Sequence, residues 1–283
     1  VIIAQITDLH VGFHGSAPDE PNKKRLETTL AELASLTVKP DLVLATGDLS
    51  DKGDAQSYRD LMRIFAASGL PVYPALGNHD SRATFREVFS DALFHEGFLQ
   101  YVLEDWPVRI VVLDTLEEGA HGGGFDVARA AWLDRQLSAA PDRPTLVALH
   151  HPPFPSDIPW LTTQPQAGWA ARVEAVIARH AQVVRVISGH IHRAIFRQWA
   201  GTLAAVCAST SPQVALEMAD MDAHETDNRR LIVAEPASYM LHVWRDGVMQ
   251  SHCGVAGDFP VLARYDPVTH HNISHIMLEE PVA

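Results

Sequence analysis

The stretch that decides the fold is Leu70-Pro71-Val72-Tyr73-Pro74-Ala75-Leu76 followed by Gly77-Asn78-His79-Asp80. The segment before Gly77 reads as a short apolar strand. Gly77 ends it in a tight turn, and an amide, an imidazole and a carboxylate follow at once. In an α/β fold the loop at the carboxyl end of a strand is where ligands sit. These three side chains can bind a metal or move a proton. Alone, Asn-His-Asp after a Gly is an ordinary turn sequence. Its weight comes from four other segments of the same design, each a strand that ends in metal-ligand side chains.

Upstream, residues 1–7 form a near-continuous apolar run, as expected of a strand buried on both faces, and Asp8-Leu9-His10 follows. Residues two apart in an extended segment point the same way, so Asp8 and His10 are expected to converge along the strand. A second strand, 42–46, ends in Gly47-Asp48. Helical spacing over 23–36 (Leu26, Leu30, Leu33, Leu36) and a helix over 55–67 separate the first three strands. Strand, helix, strand, helix, strand at short spacing predicts a parallel sheet with its polar clusters on one edge.

Downstream, a helix is expected over 81–94 with Ser81 as its cap, then antiparallel strands over 98–104 and 108–114. Gly122-Gly123-Gly124 reads as a flexible loop, and not as a phosphate cradle, since no Lys follows. After a helix at 127–139, a strand at 144–149 runs into His150-His151-Pro152-Pro153, whose prolines forbid its continuation. A helix at 169–180 precedes the strand 183–188 and Gly189-His190-Ile191-His192. Two hairpins are expected, one around Gly201 and one turned at Asp246-Gly247. Residues 217–230 are the least fold-like part. Residues 257–283 show no periodicity and read either as a tail that wraps a neighbouring subunit or as ordered coil.

Composition narrows the function. A chain of 283 residues with 47% apolar content suits one large α/β domain, alone or with a smaller appendage. A formal net charge of −13 argues against long nucleic acid and anionic membranes as partners. It does not exclude a small anionic substrate, because bound divalent metals reverse the sign of a pocket. Sixteen histidines invite a search for metal clusters; His121, His180, His224 and His270 have polar neighbours and read as surface residues. Cys207 and Cys253 allow at most one disulfide and no structural zinc site by themselves; their apolar neighbours favour buried free thiols. The sequence has no apolar run of the ~18 residues a membrane span needs, and it opens on a strand without a signal-peptide pattern. A cytoplasmic location is expected.

Collected, the strand ends offer Asp8, His10, Asp48, Asn78, His150, His190 and His192. Oxygen and imidazole ligands without thiolate suit Mn, Fe, Zn or Co. They are too many for one four-coordinate ion and suit two ions that share a carboxylate. Two ions about 3.5–4 Å apart can clamp a phosphoryl group and acidify a bridging water.

Asp8-x-His10, Gly47-Asp48, Gly77-Asn78-His79-Asp80, His150 and Gly189-His190-x-His192 resemble the five-block signature of the calcineurin-like metallophosphoesterases. The blocks occur in that family's order. The resemblance implies a four-layer α/β/β/α sandwich with a dinuclear centre. It implies Asp8, His10, Asp48 and His192 on the first ion, and Asp48, Asn78, His150 and His190 on the second, with Asp48 bridging. Thr7-Asp8-Leu9-His10, His150-His151-Pro152-Pro153 and Ser188-Gly189-His190-Ile191-His192 are similar to the bacterial class III cyclic-nucleotide phosphodiesterases and glycerophosphodiesterases. The loop 11–22 matches neither subgroup clearly, which leaves the leaving group open.

The expected activity is hydrolysis of a small phosphodiester, a 3′,5′-cyclic nucleotide or a glycerophosphodiester, by attack of a metal-bridging hydroxide. His79 is the expected catalytic residue, bonding a phosphate oxygen or protonating the leaving alkoxide; the alternative is support for Asn78. Asp80 and His151 are expected to be structural. A phosphomonoesterase or nuclease on the same scaffold, or a non-catalytic metal-binding module, are the competing readings. Residues 1–194 are expected to form the catalytic core, with 81–105 a small cap. Residues 195–283 are expected to supply the remaining core strands plus a hairpin extension and tail that serve a homo-oligomer, a dimer or higher, without being needed by the metal site.

Overall fold

The computed structural model of the chain describes residues 1–89 and 94–278. Its first part alternates as the sequence predicts: β1 (Ile2–Ile6), α1 (Pro21–Ser35), β2 (Leu42–Thr46), α2 (Ala55–Ser68) and β3 (Val72–Ala75). The three strands are parallel neighbours in the order β1-β2-β3. The next helix, α3 (Arg82–Val88), starts where expected, with the Ser81 hydroxyl accepting the Thr84 N–H, but stops short of the expected end. Residues 90–93 of that expected helix, and of the expected cap, lie outside the described residues. Phe85 is fully buried with its ring against Tyr58, which ties α3 to α2.

The chain then builds a second sheet. β4 (Tyr101–Leu103) and β5 (Arg109–Val112) pair antiparallel. α4 (Val127–Ser138), β6 (Thr145–Ala148), α5 (Gly168–Ile177) and β7 (Val183–Ser188) follow, with β5, β6 and β7 parallel. The hairpin β8 (Ile195–Trp199) and β9 (Thr202–Val206) closes this sheet in the order β4-β5-β6-β7-β9-β8. A short pair, β10 (Gln213–Val214) and β11 (Ile232–Val233), leads to β12 (Ala237–Arg245) and β13 (Val248–Ala256). Asp246 and Gly247 both have positive φ, 52° and 80°, as a type I′ turn requires.

Alternation along the strands sorts the layers. Ile110, Val112, Leu146 and Ala148 point into a core shared with the first sheet, α1 and α2. Val111, Leu113, Val147 and Leu149 point the other way, onto Trp132 and Leu137 of α4 and Val173 and Ile177 of α5. Each such buried Val, Leu or Ile side chain contributes roughly 1.5–3 kcal/mol. The result is the four-layer α/β/β/α sandwich that the resemblance implied.

The second hairpin supplies core strands: β12 lies antiparallel beside β1, with Ile2 opposite Val243 and Gln5 opposite Met240, and completes the first sheet. Two expectations are corrected. The tail contains a helix, α6 (His270–Leu278), which a short exposed stretch with scattered apolar residues did not reveal. Cys207 is a buried free thiol, but Cys253 on the edge strand β13 is exposed.

Candidate metal centre

The strand ends of both sheets meet along one line, and the backbone there leaves extended geometry. β1 stops at Ile6, so Asp8 and His10 do not converge along a pleat, contrary to the sequence reading. They have φ of 51° and 43°, and Asp48, His190 and His192 have 47°, 71° and 53°. Left-handed backbone is uncommon for residues other than Gly and gathers at functional sites. Interlocking hydrogen bonds hold it here. The Asp8 N–H donates to Gly47 O at 3.0 Å and the His10 N–H to Asp48 O at 2.9 Å. The His190 N–H donates to both Asp8 carboxylate oxygens at 3.1 and 3.0 Å. The Gly189 N–H donates to His150 O at 3.0 Å. Gly77 lets the loop after β3 press against the site: a Cβ there would lie 2.2 Å from Asp48 Oδ1 and 2.7 Å from His150 Nε2.

These turns bring the side chains together. His10 Nε2 lies 3.2 Å from His192 Nε2 and 3.5 Å from Asp48 Oδ2. His150 Nε2 lies 3.4 Å from the same Asp48 oxygen and 4.0 Å from Asp8 Oδ1. His192 Nε2 is 3.5 Å from Asp8 Oδ1. The His190 ring stands edge-on to His150, centroids 5.2 Å apart. Asn78 sits between Gly77 and His79, whose N–H donates to Asp48 Oδ1 at 2.9 Å. Asp8–His10–His192, Asp8–Asp48–His150 and His150–His151–His190 each present ligand atoms close enough to hold a metal ion.

The imidazoles are oriented from behind. His150 Nδ1–H donates to Thr46 O at 2.8 Å and His192 Nδ1–H to Pro212 O at 2.9 Å, which turns each Nε2 toward the site. Burial pulls His190 and His192 below the usual histidine range, helped by neighbouring imidazoles, which favours the neutral ring that a metal ion could use. Burial also pulls on His150, but the carboxylates of Asp48 and Asp8 outweigh it and hold His150 up at about 9. Burial alone would raise the Asp48 carboxyl; His150, His10 and His79 more than reverse this and keep it well below the carboxylate range. Three buried polar atoms at the site, His150 Nε2, His151 Nε2 and Asn78 Oδ1, have no hydrogen-bond partner among the described residues. Orphaned nitrogen and oxygen donors among carboxylates are what borderline divalent ions bind.

Residues 2–194 match the Calcineurin-like phosphoesterase family. The chain belongs to that family. It is 30% identical over 266 residues to a probable glycerophosphodiester phosphodiesterase GpdQ of Arcobacter nitrofigilis, covering 92% of this chain and 94% of that protein. It is 29% identical over 215 residues to the 3′,5′-cyclic adenosine monophosphate phosphodiesterase CpdA of Escherichia coli, covering 75% and 77%. A dimetal phosphatase from Danio rerio shares the fold at TM-score 0.57 and 15% identity, over 90% of this chain and 99% of that one. Among the described residues no helix is long and apolar enough to cross a membrane.

Several parts of this phosphoesterase site escaped the sequence reading. Asp51 accepts from His10 Nδ1 at 3.3 Å, and its carbonyl takes His79 Nδ1–H at 2.9 Å. Asp80 does not cap α3. Its carboxylate accepts the N–H groups of Leu49, Ser50 and Gly77 and the Tyr58 hydroxyl, tying the β2 and β3 loops together. Burial and the nearby Asp48 raise its pKa to about 6. His151 donates or accepts at Thr115 Oγ1 (2.9 Å), and its ring lies 4.6 Å from that of His190. His121, read as a bland surface residue, is exposed but stands at the rim, its ring 5.3 Å from His190 and 6.5 Å from His79. Gly123, two residues further on, packs closely: a Cβ there would lie 2.8 Å from Trp169 and 3.0 Å from His151. Only the distance between these segments in sequence hid them.

Proposed function

We propose that this chain is a dinuclear-metal-dependent phosphodiesterase of small diesters, a cyclic nucleotide or a glycerophosphodiester. The observation that carries the reading is the place of Asp48. Its Oδ2 lies 3.5 Å from His10 and 3.4 Å from His150, between two clusters that each could hold an ion. Asp8, His10, Asp48 and His192 would hold one ion, and Asp48, Asn78, His150 and His190 the other, with Mn, Fe, Zn or Co as the suited metals. When bound, such a pair supplies Lewis acidity, acidifying a water and neutralising phosphoryl oxygens.

The chain's own residues do the rest. The second-row bonds to Thr46, Pro212 and Asp51 keep the imidazoles from turning. His79, with its side chain 37% exposed, is the residue free to meet substrate. Its Nδ1–H is committed to the Asp51 carbonyl, so donation from Nε2 requires the imidazolium, which suits protonation of a leaving alkoxide. The names of the phosphodiesterases at about 30% identity support diesters as the substrate class.

A homo-oligomer is part of this reading. Leu262, Val268, Ile276 and Met277 are 93%, 85%, 70% and 71% exposed on the tail, apolar side chains that a second copy would cover.

The test is the hydrolysis rate of a chromogenic phosphate diester against the matching monoester, after chelation and with Mn added back. A metal-dependent rate that favours the diester is expected; a monoester preference would replace the reading with a phosphatase. Cyclic AMP and glycerophosphodiesters then divide the two substrate classes.

A further inference from the structure

Arg25 lies half-buried on α1 and forms no ion pair among the described residues. Its guanidinium donates to three backbone carbonyls instead. Nε donates to Thr210 O at 2.8 Å, and Nη2 to Ser211 O at 3.0 Å and Glu235 O at 2.7 Å. The first two belong to the 209–213 loop, which lies against the metal centre. The Ser211 N–H of this loop donates to Asp8 O at 3.2 Å and the Thr210 N–H to Thr7 O at 2.9 Å. Its Pro212 carbonyl is the acceptor that orients His192.

One helical turn earlier on the same face, Asn22 Nδ2 donates to His10 O at 2.9 Å. α1 therefore grips the backbone of His10 and the loop that aims His192, the two rings whose Nε2 atoms are 3.2 Å apart. Among the described residues no side chain of α1 reaches Asn78, His150 or His190 in this way.

We propose that Arg25 is a positioning residue for one half of the metal centre, setting the affinity of the ion assigned to Asp8, His10, Asp48 and His192 and not that of the other. The inference rests on the two-ion reading above. Three carbonyl dipoles converge where the guanidinium sits, and only a cation with several fixed donors satisfies them together. A lysine ammonium is a point donor on a flexible stem and cannot span the set. Without the guanidinium the loop relaxes, the Pro212 carbonyl shifts, and His192 loses its fixed aim. Arg193 Nε donates to the Val214 carbonyl just past the loop, so the loop's far side stays attached when Arg25 is replaced.

The experiment is a Mn titration of the chelated full chain by calorimetry, with metal content measured after dialysis, for the natural protein, Arg25→Ala, Arg25→Lys and Asn22→Ala. Arg25→Ala is expected to weaken one of two sites by roughly tenfold to a hundredfold, the usual cost of losing an outer-shell partner, and to leave the other site unchanged. Added methylguanidinium should restore much of the lost affinity. Arg25→Lys and Asn22→Ala should weaken the same site to a smaller degree. Equal weakening of both sites, or two unchanged sites, in any folded variant would overturn the proposal. A natural protein that binds fewer than two ions would overturn the two-ion reading instead, and the inference with it.

Discussion

Replacing Gly77 by Ala adds one methyl group at the point where three strand ends meet. Its φ lies outside the left-handed region, so the backbone accepts Ala and the effect is one of contact alone. The new Cβ would stand 2.2 Å from Asp48 Oδ1, 2.4 Å from Asp48 N and 2.7 Å from His150 Nε2. One of these is main chain, and the carboxylate oxygen is held by the His79 N–H, so neither can swing aside. To reach an ordinary contact of ~3.5 Å, the Asp48 backbone or the Gly77 loop must retreat by roughly 1 Å. Overpacking of this kind costs about 1–3 kcal/mol of stability. A misplacement of that size at reacting groups costs on the order of a hundredfold in rate. The assay is kcat on a chromogenic diester at saturating Mn, beside thermal unfolding. Gly69→Ala is the control: φ is +66° with nothing within 4 Å of a Cβ, at the carboxyl end of α2. It should cost about 1 kcal/mol of stability and leave turnover unchanged. Turnover of Gly77→Ala within about threefold of the natural protein would refute the argument that this glycine spaces the ligands.

Two further outcomes are expected. His79→Ala should lower diester turnover by about 10²–10⁴-fold while metal content stays near that of the natural protein; undiminished turnover in a fully loaded variant would remove His79 from the chemistry. His242, buried between Gln5 of β1 and Ser251 of β13, is held down at about 3 by burial and by the charge of Arg185 on β7. Below the ordinary histidine pKa of about 6.5 the unfolded chain takes up a proton that the native state refuses, so stability falls as pH drops from there toward 3. His242→Gln should flatten the dependence of unfolding free energy on pH in that window by up to one proton, about 1.4 kcal/mol per pH unit. An unchanged slope from denaturant titrations at several pH values would show that His242 does not carry this proton.

Local sequence determined the strands, most helices and the membership of the site. Apolar runs of four to six residues that end in a carboxylate, amide or imidazole, three of them through a Gly, need no tertiary context to be read, because burial of the strand leaves the pattern in the residues themselves. The hairpin at Asp246-Gly247 was legible for the same reason: two successive positive φ values demand those residue types. Only the tertiary structure decided that the strands divide into two sheets, since pairing partners such as Ile2 and Val243 are far apart in the chain. It also decided the means of convergence. Asp8 and His10 face one point through left-handed turns locked by Gly47 O and Asp48 O, a cost that the fold imposes from outside the segment. The residues that orient the imidazoles of the site, Thr46, Asp51 and Pro212, act mostly through backbone carbonyls, and Arg25 bonds a loop remote in sequence. A carbonyl has no side-chain identity, so no pattern of residues could announce it before the chain was folded.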